Sequence, residues 1–181
     1  MAERFERMLA EHQAFIEQQH MYFVGTAAPD GYVNVSPKGR DTLRVLNENQ
    51  VAWLNLTGSG NETAAHLLEA NRMTVMFCSF DRQPLILRLY GKARCIQATD
   101  PDWYEWLAQF GNPAGARQVF VLDIALVQTS CGFAVPFYTF DGERDTLDKW
   151  AMKKGEDGIR EYWQVKNTRS LDDKETGVPT I

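Results

Sequence analysis

From Leu56 to Leu67 the chain reads Leu-Thr-Gly-Ser-Gly-Asn-Glu-Thr-Ala-Ala-His-Leu, an apolar strand running through two glycines into a helix. Glycines let successive backbone N–H groups converge, and a helix start adds unsatisfied donors and partial positive charge. Together these make an anion site of phosphate size. The same residues also read as a plain helix cap, with Ser59 or Asn61 satisfying the first turn. No Gly-Lys-Ser/Thr follows, so this is not a Walker loop, and Thr63 stands where a dinucleotide fingerprint has its third glycine.

Three further segments carry reactive or charged groups. Ser36-Pro37-Lys38-Gly39 closes a strand, and Lys38 reads either as a solvated loop lysine or as a full positive charge for a phosphate or a reduced flavin. Arg88 is centred in the apolar run Leu85 to Gly91, where it needs an anionic partner, a wet groove or an interface. Cys131 lies in Thr129-Ser130-Cys131-Gly132 and invites a nucleophile reading. No histidine or other base is placed to activate it, so it reads as an inert, partly buried thiol. A serine hydrolase has no support, because no G-x-S-x-G occurs.

Composition narrows the classes. The 181 residues suit one domain, taken here as 1–181, and 44% hydrophobic with 24% charged residues is an ordinary globular mix. A net charge of −5 gives nucleic acid no electrostatic foothold. Cys78, Cys95 and Cys131 form no pair pattern, which points to a reducing compartment, the cytoplasm. His12, His20 and His66 are not at metal-ligand spacing, and no apolar run is long enough for a membrane helix.

The elements that must position these groups follow from periodicity. Phe5, Met8, Leu9, Phe15 and Ile16 fall at helical spacing and predict an amphipathic N-terminal helix within residues 1–20. Strands are expected at Tyr22–Ala27, Tyr32–Val35, Leu43–Leu46, Val51–Leu56, Met73–Phe80, Leu85–Gln97 and Arg117–Gln128, with short helices at Glu62–Ala70 and Asp102–Phe110. Residues 138–181 form a helical extension and a polar tail. Six or seven strands in hairpin order, with few helices, predict a mainly β, antiparallel barrel with peripheral helices.

The series Ser36-Pro37-Lys38-Gly39, Gly58-Ser59-Gly60-Asn61-Glu62-Thr63, Arg72 to Phe77, Arg88 to Ala93 and Thr129 to Gly132 resembles the pyridoxamine 5′-phosphate oxidase-like family of FMN-binding split barrels. The resemblance spans roughly Met21 to Asp172. It implies a six-stranded split barrel that dimerises, with two FMN sites between subunits. By position it places Ser59, Asn61 and Thr63 on the phosphate, with Ser36 and Lys38 nearby. Leu54 and Asn55 match the strand under the flavin ring, Arg88 faces the flavin, and Ser130, Cys131 and Gly132 match the segment given by the other subunit. The true oxidases carry an Arg-Lys pair where Glu62 and Thr63 stand, and end in an arginine-rich motif that this chain lacks, so pyridoxamine phosphate oxidation is not assigned. The expectation is an FMN-dependent oxidoreductase acting on a small molecule. A non-catalytic FMN-binding protein, for storage or sensing, is the alternative.

Overall fold

The alternation of apolar and polar residues from Met21 onward folds as the period-2 pattern requires, one side chain in and the next out. The computed structural model describes residues 2–179, so the ends of the expected N-terminal helix and polar tail lie outside the described residues. In chain order the elements are β1 (Glu3–Phe5), α1 (Ala10–Glu17), β2 (Met21–Thr26), β3 (Asn34–Gly39), β4 (Leu43–Asn47), β5 (Gln50–Leu56), α2 (Glu62–Glu69), β6 (Arg72–Cys78), β7 (Leu85–Gln97), α3 (Trp103–Ala108), β8 (Ala116–Cys131) and α4 (Thr146–Lys166).

The strands form one antiparallel sheet in the order β3-β2-β6-β7-β8-β5-β4, with β1 added beside β8. That is eight strands rather than six. The sheet curls into a half-barrel around Val24, Trp53, Val75, Phe77, Leu89, Phe120 and Leu122, all essentially buried. A second apolar layer, Ala52, Leu54, Val119 and Val121 with Trp103 and Phe110, packs α3 on the outside of β5 and β8. Both faces of β5 are therefore covered, which explains its unbroken apolar run.

Three local expectations are corrected. The N-terminal helix begins only at Ala10, because Glu3–Phe5 pairs with Val127–Thr129 instead of coiling. Ser36 to Gly39 lies inside β3 rather than after it. Pro37, which has no N–H to donate, is tolerated there because β3 is an edge strand. Strand β8 runs on to Cys131, past Gln128, because β7 pairs with it as far as Leu85.

A bulge makes the long pairing of β7 with β8 possible. Tyr90 faces Leu126 and Gly91 faces Ile124, leaving Ala125 unpaired. The extra residue switches the face presented by β8, so that Val127 and Thr129 above it and Phe120 and Leu122 below it all turn inward.

Candidate functional site

Strand register decides which candidates can meet. Tyr22, Val24 and Thr26 point inward, and their partners on β3 are Lys38, Ser36 and Asn34. Across the barrel Trp53 faces Phe120 and Asn55 faces Gln118, also on the inner side. The curl brings these two regions together. Lys38 Nζ donates to Asn55 Oδ1 at 3.4 Å and stands 4.9 Å from the Trp53 ring centroid. Asn55 Nδ2 donates to Gln118 Oε1 at 3.2 Å, and Gln118 donates on to Gln97. On the β3 side Ser36 donates to Asn34, whose amide reaches Thr63 Oγ1 at 3.4 Å. Ser36, Lys38, Asn55 and Thr63 thus share one polar end of the barrel interior.

The turn from Gly58 to Asn61 borders this end. Helix α2 has no side-chain cap, contrary to the cap reading of Ser59 or Asn61. Ser59 is exposed, and the buried Asn61 turns its amide to the Asn167 carbonyl at 3.2 Å instead. Among the described residues no acceptor engages the backbone N–H groups from Ser59 to Ala64. Glu62 folds back over Gly60, where a Cβ would lie 3.0 Å from its carboxyl carbon.

The charge balance here is unusual. Burial, with help from the Arg117 guanidinium, pulls the Lys38 ammonium down to about 8, against the opposing pull of Glu62. Arg117 itself is 3% exposed and is lowered by burial to about 10. Its hydrogen bonds go to the carbonyls of Gly58 and Gly60, at 3.4 and 3.0 Å, rather than to a carboxylate. The same buried surroundings push the Cys95 thiol up to about 12.

Five other candidates, Arg88, Ser130, Cys131, Gly132 and Leu54, are not brought to this end by a single chain. Arg88 faces away from the core, between Met76 and Gln128, and donates to Ser130 Oγ at 3.2 Å. Its partner is a hydroxyl, not the buried carboxylate that was one alternative. Cys131 is exposed, not partly buried, and the buried Gly132 gives its N–H to Pro84. Leu54 lies in the outer layer under α3, with its N–H bound to the Thr42 carbonyl. Its side chain points away from Asn55.

Sequence reasoning missed Arg117, Gln118 and Asn167. The first two open a strand that otherwise reads as continuous apolar residues, and two adjacent polar residues there are the signal that could have found them. Asn167 begins what looked like a polar tail. It is fully buried and donates to the Gly58 carbonyl at 3.0 Å, while Trp163 Nε1 donates to Thr57 at 2.8 Å. At the far side of Lys38 a cavity of about 910 Å³ opens, walled by His20, Lys38, Arg40, Phe140, Arg144 and Trp150.

The family model described as pyridoxamine 5′-phosphate oxidase matches residues 8–131 of this sequence. The chain belongs to the pyridoxamine 5′-phosphate oxidase family. A relative in Aspergillus flavus, the pyridoxamine 5′-phosphate oxidase family protein ustO, is 41% identical over 175 residues, covering 86% of this chain and 70% of that protein. Among solved structures, a provisional pyridoxamine 5′-phosphate oxidase from Lactobacillus delbrueckii superposes with a TM-score of 0.54 at 20% identity, over 68% of this chain and 94% of its own. The heme storage protein HutZ of Vibrio cholerae gives 0.50 at 17% identity, over 70% and 98%. These two likenesses establish the fold, a split barrel of this family.

The donor set of the Ser59–Ala64 segment fits the phosphate of FMN, since unbonded N–H groups at a helix start and a nearby ammonium are what a dianion requires. Among the described residues no helix is long and apolar enough to cross a membrane.

Proposed function

We propose that this family member is an FMN-dependent oxidoreductase that works as a homodimer on a small redox substrate. The observation that carries the reading is the uncapped run of N–H groups from Ser59 to Ala64, set beside Lys38 in a chain of this family. FMN, when bound, supplies hydride transfer at its N5. The N–H groups and the Thr63 hydroxyl hold the phosphate, with Ser59 and Asn61 shaping the turn. Asn55 and Ser36 fix the direction of Lys38 and of Thr63 through the hydrogen bonds above. Lys38 adds a full positive charge beside those N–H groups, the kind of point charge that a bound phosphate requires.

Arg88 and Ser130 occupy the opposite face of the sheet, and Cys131 and Gly132 follow at the end of β8, so in this reading all four serve the site of the partner subunit. Exposed aromatic residues in the segment after β8, Phe133 at 81% and Phe137 at 76%, favour such a partner. The cavity beside Lys38 has the volume of a small-molecule site and is where the substrate is expected. Three free cysteines are in keeping with work in the cytoplasm.

The test is direct. Purified full-length protein is mixed with FMN, gel-filtered, and examined for the two visible flavin bands and for bleaching by NADH or NADPH followed by reoxidation with turnover. Retained flavin that cycles supports the enzyme. A second reading, FMN storage or sensing without turnover, has in its favour that the fold is shared with a protein named for heme storage, so fold alone does not select catalysis. Retained flavin that no reductant turns over would favour that reading.

A further inference from the structure

The glycine turn faces two ways, and its inner side is held by residues far off in the chain. Gly58 O accepts from Arg117 Nη1 at 3.4 Å and from Asn167 Nδ2 at 3.0 Å, and Gly60 O accepts from Arg117 Nη2 at 3.0 Å. Both peptides are trans, so each carbonyl points opposite to the N–H that follows it. Holding those two carbonyls inward therefore turns the N–H groups of Ser59 and Asn61 outward. Together with the N–H groups of Glu62, Thr63 and Ala64 that begin α2, they are the unbonded donors of this segment.

We propose that Arg117 and Asn167 are positioning residues that shape the Gly58–Asn61 turn into a phosphate cradle, with Arg117 supplying positive charge from beneath it. This rests on the flavin reading and deepens it. In the absence of the Arg-Lys pair that the true oxidases carry in the turn, one buried guanidinium acts through backbone carbonyls instead of touching the anion. Two features go beyond packing. Arg117 is a buried cation that spends its donors on carbonyls, leaving its charge without a bonded carboxylate, and its Nε has no partner. Such a charge is compensated best by an anion on the other side of the turn. Asn167 is fully buried and closes the α4 end onto Gly58 and Asn61, so the C-terminal extension becomes part of the cradle.

The test compares FMN with riboflavin, which differs only in lacking the phosphate, by fluorescence titration of the full chain. Arg117→Met is expected to lower FMN affinity about tenfold or more while riboflavin affinity stays within about threefold. Arg117→Lys, which keeps the charge and loses the two-carbonyl grip, and Asn167→Ala, which keeps the charge and removes one of the two donors to the Gly58 carbonyl, are each expected to lose about threefold for FMN alone. Parallel losses for both ligands, or an unchanged ratio, overturn the proposal. Should Arg117→Met not fold, the ratios of the other two variants decide it by the same criterion. If the wild type binds neither flavin, the flavin reading falls. The cradle is then judged by the thermal shift with inorganic pyrophosphate: a shift in the wild type that Asn167→Ala reduces sustains it, and no shift, or one that Asn167→Ala leaves unchanged, overturns it.

Discussion

The Lys38 ammonium lies 4.9 Å from the centroid of the Trp53 ring, although β3 and β5 are separated by four strands in the sheet. Only the curl of the barrel explains that contact, and the same curl strips water from the lysine. Its proton is held less tightly as a result, at about 8 against an ordinary 10.5.

Two opposite pH effects are expected from Lys38. Below about pH 8 the group is charged whether the chain is folded or not, and the folded state bears the cost of burying that charge. Between about 8 and 10.5 the unfolded chain binds more protons than the folded one, so stability of the ligand-free protein rises with pH across that window. The gain is lost as pH falls back through about 8. FMN affinity should move the other way, falling as pH rises through about 8 and the ammonium is lost. Lys38→Met should flatten both profiles and weaken FMN about tenfold at neutral pH. Thermal melts and FMN titrations across this range check it, and a wild-type affinity that does not change with pH would remove Lys38 from the phosphate site.

Glu62 gives the second prediction. Its carboxylate folds over Gly60, at the place where an anion would approach the free N–H groups. Like charges at that distance oppose each other, so Glu62→Gln should tighten FMN binding by about three- to tenfold and leave riboflavin nearly unchanged. Weaker FMN binding in this variant would mean that the carboxylate serves the turn rather than obstructing it.

Much of this arrangement was legible in the sequence, for reasons that particular residues make clear. Strands β2, β6 and β7 announce themselves because one face is buried and period 2 survives, as in Tyr22, Val24 and Thr26, and β5 by the unbroken apolar run of a strand covered on both faces. The glycine turn is legible from its place, two glycines between an apolar strand and a helical run, although neither Gly58 nor Gly60 adopts the left-handed conformation that would require glycine. What the sequence hides is long-range. Glu3–Phe5 has too few residues to signal a strand, and only its pairing with Val127–Thr129 makes it one. Arg117 and Asn167 lie more than fifty and one hundred positions from the carbonyl they share, at separations of 59 and 109 residues, and no local pattern records such a meeting. The exposure of Cys131 is hidden for a similar reason, since it depends on where β8 ends.

Gly91 supplies a prediction about the scaffold. A Cβ at this position would clash with the Asp123 carbonyl oxygen and stand 2.9 Å from its carbonyl carbon. The bulge beside it is what turns both halves of β8 toward the core. Gly91→Ala forces backbone against backbone, with no flexible side chain to give way, and is expected to cost about 1–3 kcal/mol of stability. Urea unfolding measures this, and an unchanged midpoint would show that the sheet can open there freely.

The last prediction concerns the two faces of the sheet. Lys38 lies inside the barrel, while Arg88 and Ser130 lie on the outer side, bonded to each other at 3.2 Å. If one flavin needs both groups, they must come from different chains. Lys38→Met and Arg88→Ala should each weaken FMN binding in their own homodimers. When the two variants are unfolded, mixed and refolded together, half of the chains should enter mixed dimers. Each mixed dimer then has one doubly impaired site and one site that is intact, with Lys38 from one chain and Arg88 from the other. Titration of the mixture should therefore recover about one tight site for every four chains, since half of the dimers are mixed and each carries one. If Lys38 and Arg88 of the same chain served one flavin, every site in the mixture would still lack one group and no tight binding would return. A full chain that sediments as a monomer while binding FMN tightly would equally exclude the shared site.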